Sequence, residues 1–165
     1  MPQSRPIVAI IGAGEAPPAI LAVAEELGRR LVDAGLRIVS GGRGGVMAAA
    51  SRGGRASSAW AEGAILGILP GVDRSDANPW IDVALPTGLG HARNVLVVLA
   101  AEVVIAVDGG AGTLSEIALA WVHERPIIAL DVGDGWRRMK IVLTSLLVTP
   151  TRITTTNDQG SRSPT

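Results

Sequence analysis

Val103-Val104-Ile105-Ala106-Val107, followed at once by Asp108-Gly109-Gly110-Ala111-Gly112-Thr113, is the stretch that decides the fold. The first part is apolar throughout and mostly β-branched, with no polar alternation. Such a run suits a strand covered on both faces, as in a parallel sheet. The glycines then turn the chain, and Leu114–His123 follows with apolar residues at helical spacing. The unit reads strand, glycine loop, helix.

Working outward, Ile7–Ile11, Leu36–Val39, Ala64–Leu69 and Ile127–Leu130 are runs of the same kind, and Ile81–Leu85 adds a short strand. Between them, Ile20, Leu21, Val23, Ala24, Leu27, Leu31 and Val32 recur at helical spacing, behind Pro17-Pro18 and ahead of Gly35. Proline suits a first helical turn and glycine a helix end. Ala92–Ala101 is a further helix, apolar on every side, which a small domain buries fully only with help from a second subunit. Alternating strands and helices predict an α/β fold with right-handed crossovers and a doubly wound, mainly parallel sheet. Residues 1–150 form one domain on this reading, with Arg137–Leu147 as a last helix. Residues 151–165 are polar and read as a disordered tail.

With 165 residues, 47% hydrophobic and 18% charged, the chain can bury a single core. Aromatic residues make up only 2%, with no Phe and no Tyr, so the core is aliphatic and stacking platforms for single-stranded nucleic acid are scarce. Fifteen basic residues balance fifteen acidic ones, which leaves no electrostatic footprint for duplex DNA or an anionic membrane. There is no cysteine, so disulfides, thiol nucleophiles and Cys-bound metal are excluded. His91 and His123 lack metal-ligand spacing, and no metal site is expected. No apolar run reaches the ~18 residues of a membrane span, and the start is poor signal-peptide material; a cytoplasmic protein is expected.

In an open α/β sheet, ligands sit beyond the carboxyl ends of the strands. Three loops there are glycine-rich. Gly12-Ala13-Gly14-Glu15-Ala16-Pro17 begins like a dinucleotide fingerprint, but Pro17 takes the third glycine position. The second strand ends in Ser40-Gly41-Gly42 without a carboxylate for a ribose, so NAD is not expected. Ser40-Gly41-Gly42-Arg43-Gly44-Gly45-Val46-Met47 and Asp108–Thr113 each lead into a helix. Glycines let backbone N–H groups approach an anion, and a helix N-terminus adds partial positive charge. Read alone, each loop is either a phosphate cradle or a tight turn. Arg93 is likewise either an anion clamp or a solvated charge, and Glu116 either faces a ligand or serves the dipole of its helix's first turn.

Four segments taken together are more specific: Ser40 to Ala50, Gly67-Ile68-Leu69-Pro70-Gly71, Thr87-Gly88-Leu89-Gly90-His91-Ala92-Arg93-Asn94 and Gly109-Gly110-Ala111-Gly112-Thr113-Leu114-Ser115-Glu116. In this order, over Ile7 to Leu130, they resemble the LOG-like superfamily. Its members include LONELY GUY phosphoribohydrolases, proteins mislabelled lysine decarboxylases, and molybdenum-cofactor carrier proteins; the third motif and Leu-Pro-Gly look closest to the carriers. The resemblance implies a Rossmann-like fold, a homodimer or tetramer, and a small phosphorylated ligand, with molybdenum cofactor as cargo. With the first glycine loop and Asp108 added to the residues of these motifs, the candidate binding residues are Gly12, Gly14, Gly41, Gly42, Gly44, Gly45, Arg93, Asn94, Asp108, Gly109, Gly110, Gly112, Thr113 and Glu116.

In the hydrolase branch the positions of Arg93 and Glu116 position the substrate and act on an N-glycosidic bond, so these two are the catalytic pair if the protein is an enzyme. This chain departs from that branch in two places. Asp108 stands where a proline usually begins the third loop, and Asn94 where a basic residue follows the arginine. The departures favour a carrier over a nucleoside 5′-monophosphate phosphoribohydrolase. Pyridoxal phosphate is not expected, because Lys140, the sole lysine, is far in sequence from every loop.

Overall fold

The computed structural model describes residues 5–130. The predicted helix Arg137–Leu147 and the polar tail lie outside them. Six strands, β1 (Ile7–Gly12), β2 (Arg37–Ser40), β3 (Ile65–Leu69), β4 (Val83–Pro86), β5 (Val103–Val107) and β6 (Ile127–Leu130), form one sheet in the order β4-β3-β2-β1-β5-β6. Every neighbouring pair is parallel. The helices are α1 (Pro18–Asp33), α2 (Gly45–Arg55), α3 (Asn94–Leu99) and α4 (Ala111–Val122). The fold is α/β and Rossmann-like. The chain winds from β1 out to β4, returns through α3 and continues from β5 to β6. The sheet therefore reverses direction between β1 and β5, and this switch point is where such folds open a crevice.

Alternate residues of each strand feed two cores. Val8, Ile10, Ile38 and Ile65 pack under α1 and α2 against Ile20, Ala24, Val32, Val46 and Ala50. Ala9, Ile11, Val39 and Val104 pack under α3 and α4 against Val97, Val98, Ile117 and Ala120. Burial on both faces explains why the strands read as unbroken apolar runs. Among the described residues no helix is long and apolar enough to cross a membrane.

Two expectations change in detail. The short strand is Val83–Pro86 rather than Ile81–Leu85, because the Asp82 carboxylate is wholly buried and anchors the approach to it. Asp82 accepts from the Ile65 backbone N–H at 3.0 Å, from Trp60 Nε1 at 3.2 Å and from Arg55. The segment Ala92–Ala101 begins as a 3₁₀ turn, Gly90–Arg93, and becomes α-helical only from Asn94. In the isolated chain its Leu96 and Leu99 are exposed, so the helix is not buried on every side.

The closest helix pair is α1 with α2. A Cβ on Gly28 would collide with the Ala50 carbonyl, and one on Gly53 with the Glu25 carbonyl. The two backbones touch at both points, so neither site has a side chain that can yield. Gly53→Ala is expected to lower stability by about 1–3 kcal/mol, read as a lower urea midpoint. An unchanged midpoint would show that the helices separate freely.

Candidate functional site

The loops after β1, β2 and β5 meet at the carboxyl ends of the strands. The first two are interlocked. The Val46 N–H at the start of α2 donates to the Ala13 carbonyl at 3.0 Å. Gly45 has φ +61°, and a Cβ there would strike Ala13 and Gly14. The second loop is also held from outside by Asn78, whose backbone N–H donates to the Gly42 carbonyl at 2.8 Å and whose Nδ2 donates to the Arg43 carbonyl at 3.0 Å.

The glycines singled out from sequence fall into two groups. A Cβ on Gly12, Gly41 or Gly42 would enter space already filled by neighbouring strands, loops or Arg93, and Gly44 lies against the Gly14 carbonyl. Around Gly14, Gly110 and Gly112 there is open space among the described residues. Gly109 packs on the buried Thr113. Asp108 has φ +52°, a left-handed conformation that aspartate tolerates and proline cannot adopt. The aspartate at the head of this loop thus goes with a backbone unavailable to Pro-Gly-Gly.

Arg93 ends the 3₁₀ turn before α3, and its side chain is only 10% exposed. The guanidinium packs against Gly41, where any Cβ would displace it. Nη1 donates to Asn94 Oδ1 and, at 3.4 Å, to Glu116 Oε1. Nε is buried and has no partner among the described residues. Asn94 Nδ2 donates to Ser115 Oγ at 2.7 Å, and Ser115 Oγ donates to the Gly112 carbonyl at 2.7 Å. A chain of hydrogen bonds therefore ties Arg93 to the third glycine loop.

Because α4 begins at Ala111, Glu116 sits in its second turn, buried, rather than in the first turn as a dipole carboxylate. Burial pushes its carboxyl up from 4.5 to about 7, with Arg93 pulling the other way. Burial also lowers the Arg93 guanidinium; Glu116 opposes this, and the positive charge of Arg43 adds to it. Chemically, the pair offers a fixed cation and a carboxyl able to exchange a proton near neutrality.

Sequence reasoning brought together Arg93, Asn94, Glu116 and the third loop. It passed over Ser115, Asn78 and Arg43. The available signal for Arg43 was its position as the sole charge in a run of four glycines. Asn78 and Ser115 act through backbone carbonyls, which leave no pattern in sequence.

The model of the SLOG cluster4 family matches residues 5–159, well past Leu130. An uncharacterized protein of Archaeoglobus fulgidus is 34% identical over 133 residues, 79% of this chain and 85% of its own length. The structure of the molybdenum cofactor binding protein from Rippkaea orientalis superposes with a TM-score of 0.76 at 36% identity, covering 86% of both chains. A structure of the Moco carrier protein from Chlamydomonas reinhardtii gives a TM-score of 0.72 at 31% identity, covering 87% of both. With its parallel sheet and the motifs set out above, the chain belongs to the SLOG cluster4 family, a LOG-like family.

Proposed function

We propose that this protein binds and carries a phosphorylated pterin, with molybdenum cofactor as its cargo, in the cytoplasm. The observation that carries the reading is the buried Arg93, whose Nε has no partner among the described residues and which Asn94 and Ser115 tie to the third glycine loop, open at Gly110 and Gly112. A buried cation with a spare donor, tied by hydrogen bonds to the first turns of α4, suits a phosphate. The side-chain chemistry fits such a cargo: the chain has no cysteine to compete for its metal. The cargo would keep its metal on its own pterin dithiolene, while Arg93 and the third glycine loop hold the phosphate. The likeness to the binding and carrier proteins of Rippkaea and Chlamydomonas supports the same reading.

A second reading has one specific observation in its favour. Glu116, held near 7, is poised as a general acid or base, as an N-glycosidic phosphoribohydrolase needs. Asn94, in contact with this pair, and Asp108, at the head of the third loop, depart from that branch, and we therefore place the carrier first.

The proposal includes a homodimer formed through α3, which would cover the exposed Leu96 and Leu99. Native mass spectrometry of the purified protein mixed with molybdenum cofactor tests both parts. The expected spectrum is a dimer with one cofactor per subunit. Monomers would overturn the assembly, and dimers without cofactor would overturn the cargo.

A further inference from the structure

We propose that Arg43 is a second, movable anion-binding side chain of this cleft, and that it makes the site select ligands bearing a terminal phosphate. The inference deepens the binding role proposed above and rests on that site.

The first argument is charge. Arg93 is the fixed cation, but the Glu116 carboxyl lies 3.4 Å from it and, in its ionised form, offsets part of its charge. Asp108 adds a negative charge at the head of the third loop. Arg93 alone offers a single positive charge to a phosphate dianion. Arg43, two residues after the Gly41 against which Arg93 packs, supplies a second positive charge from the adjoining loop.

The second argument is geometry. Arg43 stands two residues after Gly41, the residue on which the Arg93 guanidinium lies. Its backbone is fixed, because Asn78 donates hydrogen bonds to the carbonyls of Gly42 and Arg43. Among the described residues its side chain has no short ion pair. It is half exposed, and its nearest ion-pair contact is Asp76 Oδ2 at 3.9 Å, itself half exposed. A pair that long and that wet contributes little, so leaving it for a phosphate is easy. An arginine on a pinned backbone with a half-exposed head is suited to swing from Asp76 onto an arriving anion and form paired N–H···O contacts there.

The test uses two matched ligand pairs. One is the fluorescent oxidised pterin released from molybdenum cofactor, with and without its terminal phosphate. The other is AMP and adenosine. Affinities are measured for the parent, Arg43→Gln, Arg43→Lys and Asp76→Asn. We expect the parent to prefer the phosphorylated member of a pair by roughly tenfold or more, and Arg43→Gln to reduce that preference to about twofold or less. Arg43→Lys should restore part of it. Asp76→Asn should raise it by roughly twofold, because the competing carboxylate is gone. Affinity for the unphosphorylated members should not change.

An Arg43→Gln protein that keeps the parent's preference overturns the proposal, as does a parent with no preference in either pair. No gain in Asp76→Asn overturns the swing from Asp76. If both pterins bind equally well, the pterin-binding role stands and Arg43 falls. If only AMP binds, and does so through Arg43, the pterin role falls and Arg43 stands.

Discussion

An Arg93→Gln variant is expected to fold and yet to lose binding of the phosphorylated pterin by about a hundredfold or more. The variant removes the fixed cation and its buried Nε from the site. It also leaves the Glu116 carboxyl buried without a charge partner. That does not unfold the protein, because Arg93 is what holds the carboxyl down; without it the group moves further above 7 and stays protonated at neutral pH. A neutral acid beside a glutamine is tolerable where an orphaned carboxylate is not. The loss should therefore appear in titration calorimetry and hardly at all in thermal melts. Gly41→Ala should give the same loss by another route, since its methyl group occupies the place of the guanidinium. Parent-like affinity in both variants would show that the ligand does not touch Arg93.

How much of this was legible in the sequence depends on what kind of interaction placed each residue. The strands were plain because both faces of the sheet are covered, so Val103–Val107 and Ile7–Ile11 carry no polar interruption. The helix α1 was plain because its apolar stripe and Pro17-Pro18 are local signals. The start of β4 was not, because it is set by Asp82, whose partners Arg55, Trp60 and Ile65 all precede it by 17 residues or more. Long-range carboxylate contacts leave no periodicity. The α1–α2 contact at Gly28 and Gly53 was equally silent, since each glycine reads as an ordinary weak point within a helix.

The site divides in the same way. Arg93 and Glu116 became a pair only through the family resemblance; by themselves Arg93 read as either an anion clamp or a solvated charge, and Glu116 as either a ligand contact or a helix-dipole carboxylate. The structure gives the physical reason for the difference. Arg93 sits on a 3₁₀ turn that aims its side chain under the second loop, and the earlier start of α4 turns Glu116 inward to meet it. Pattern reading treated the glycines as one class, whereas some are packed against neighbours and others border open space. That distinction needs coordinates.

Glu116→Gln is expected to remove a pH dependence of stability that the parent shows, while leaving cargo binding in place. The folded-state pKa of Glu116, about 7, is raised above the ordinary 4.5 by burial, so the native state holds its proton more tightly than the unfolded chain. The sign follows. The protonated carboxyl stabilises the fold fully below about 4.5, and this contribution is lost as pH rises through about 7. A shift of that size corresponds to about 3 kcal/mol at most. Glutamine mimics the protonated carboxyl and does not titrate. The stability gap between Glu116→Gln and the parent should therefore widen from pH 5 to pH 8 and then level off, as read from urea midpoints. A constant gap would mean that Glu116 ionises like a surface carboxylate. The same pair of proteins separates carrier from enzyme. A general acid or base is needed most in the transition state, so its loss would lower a rate by ~10²–10⁴-fold and leave binding intact. A carrier has no such rate to lose. We expect the parent to release no adenine from AMP, and both proteins to retain the pterin. Adenine release by the parent that disappears in Glu116→Gln would make the buried pair catalytic and replace the carrier role with glycosidic hydrolysis.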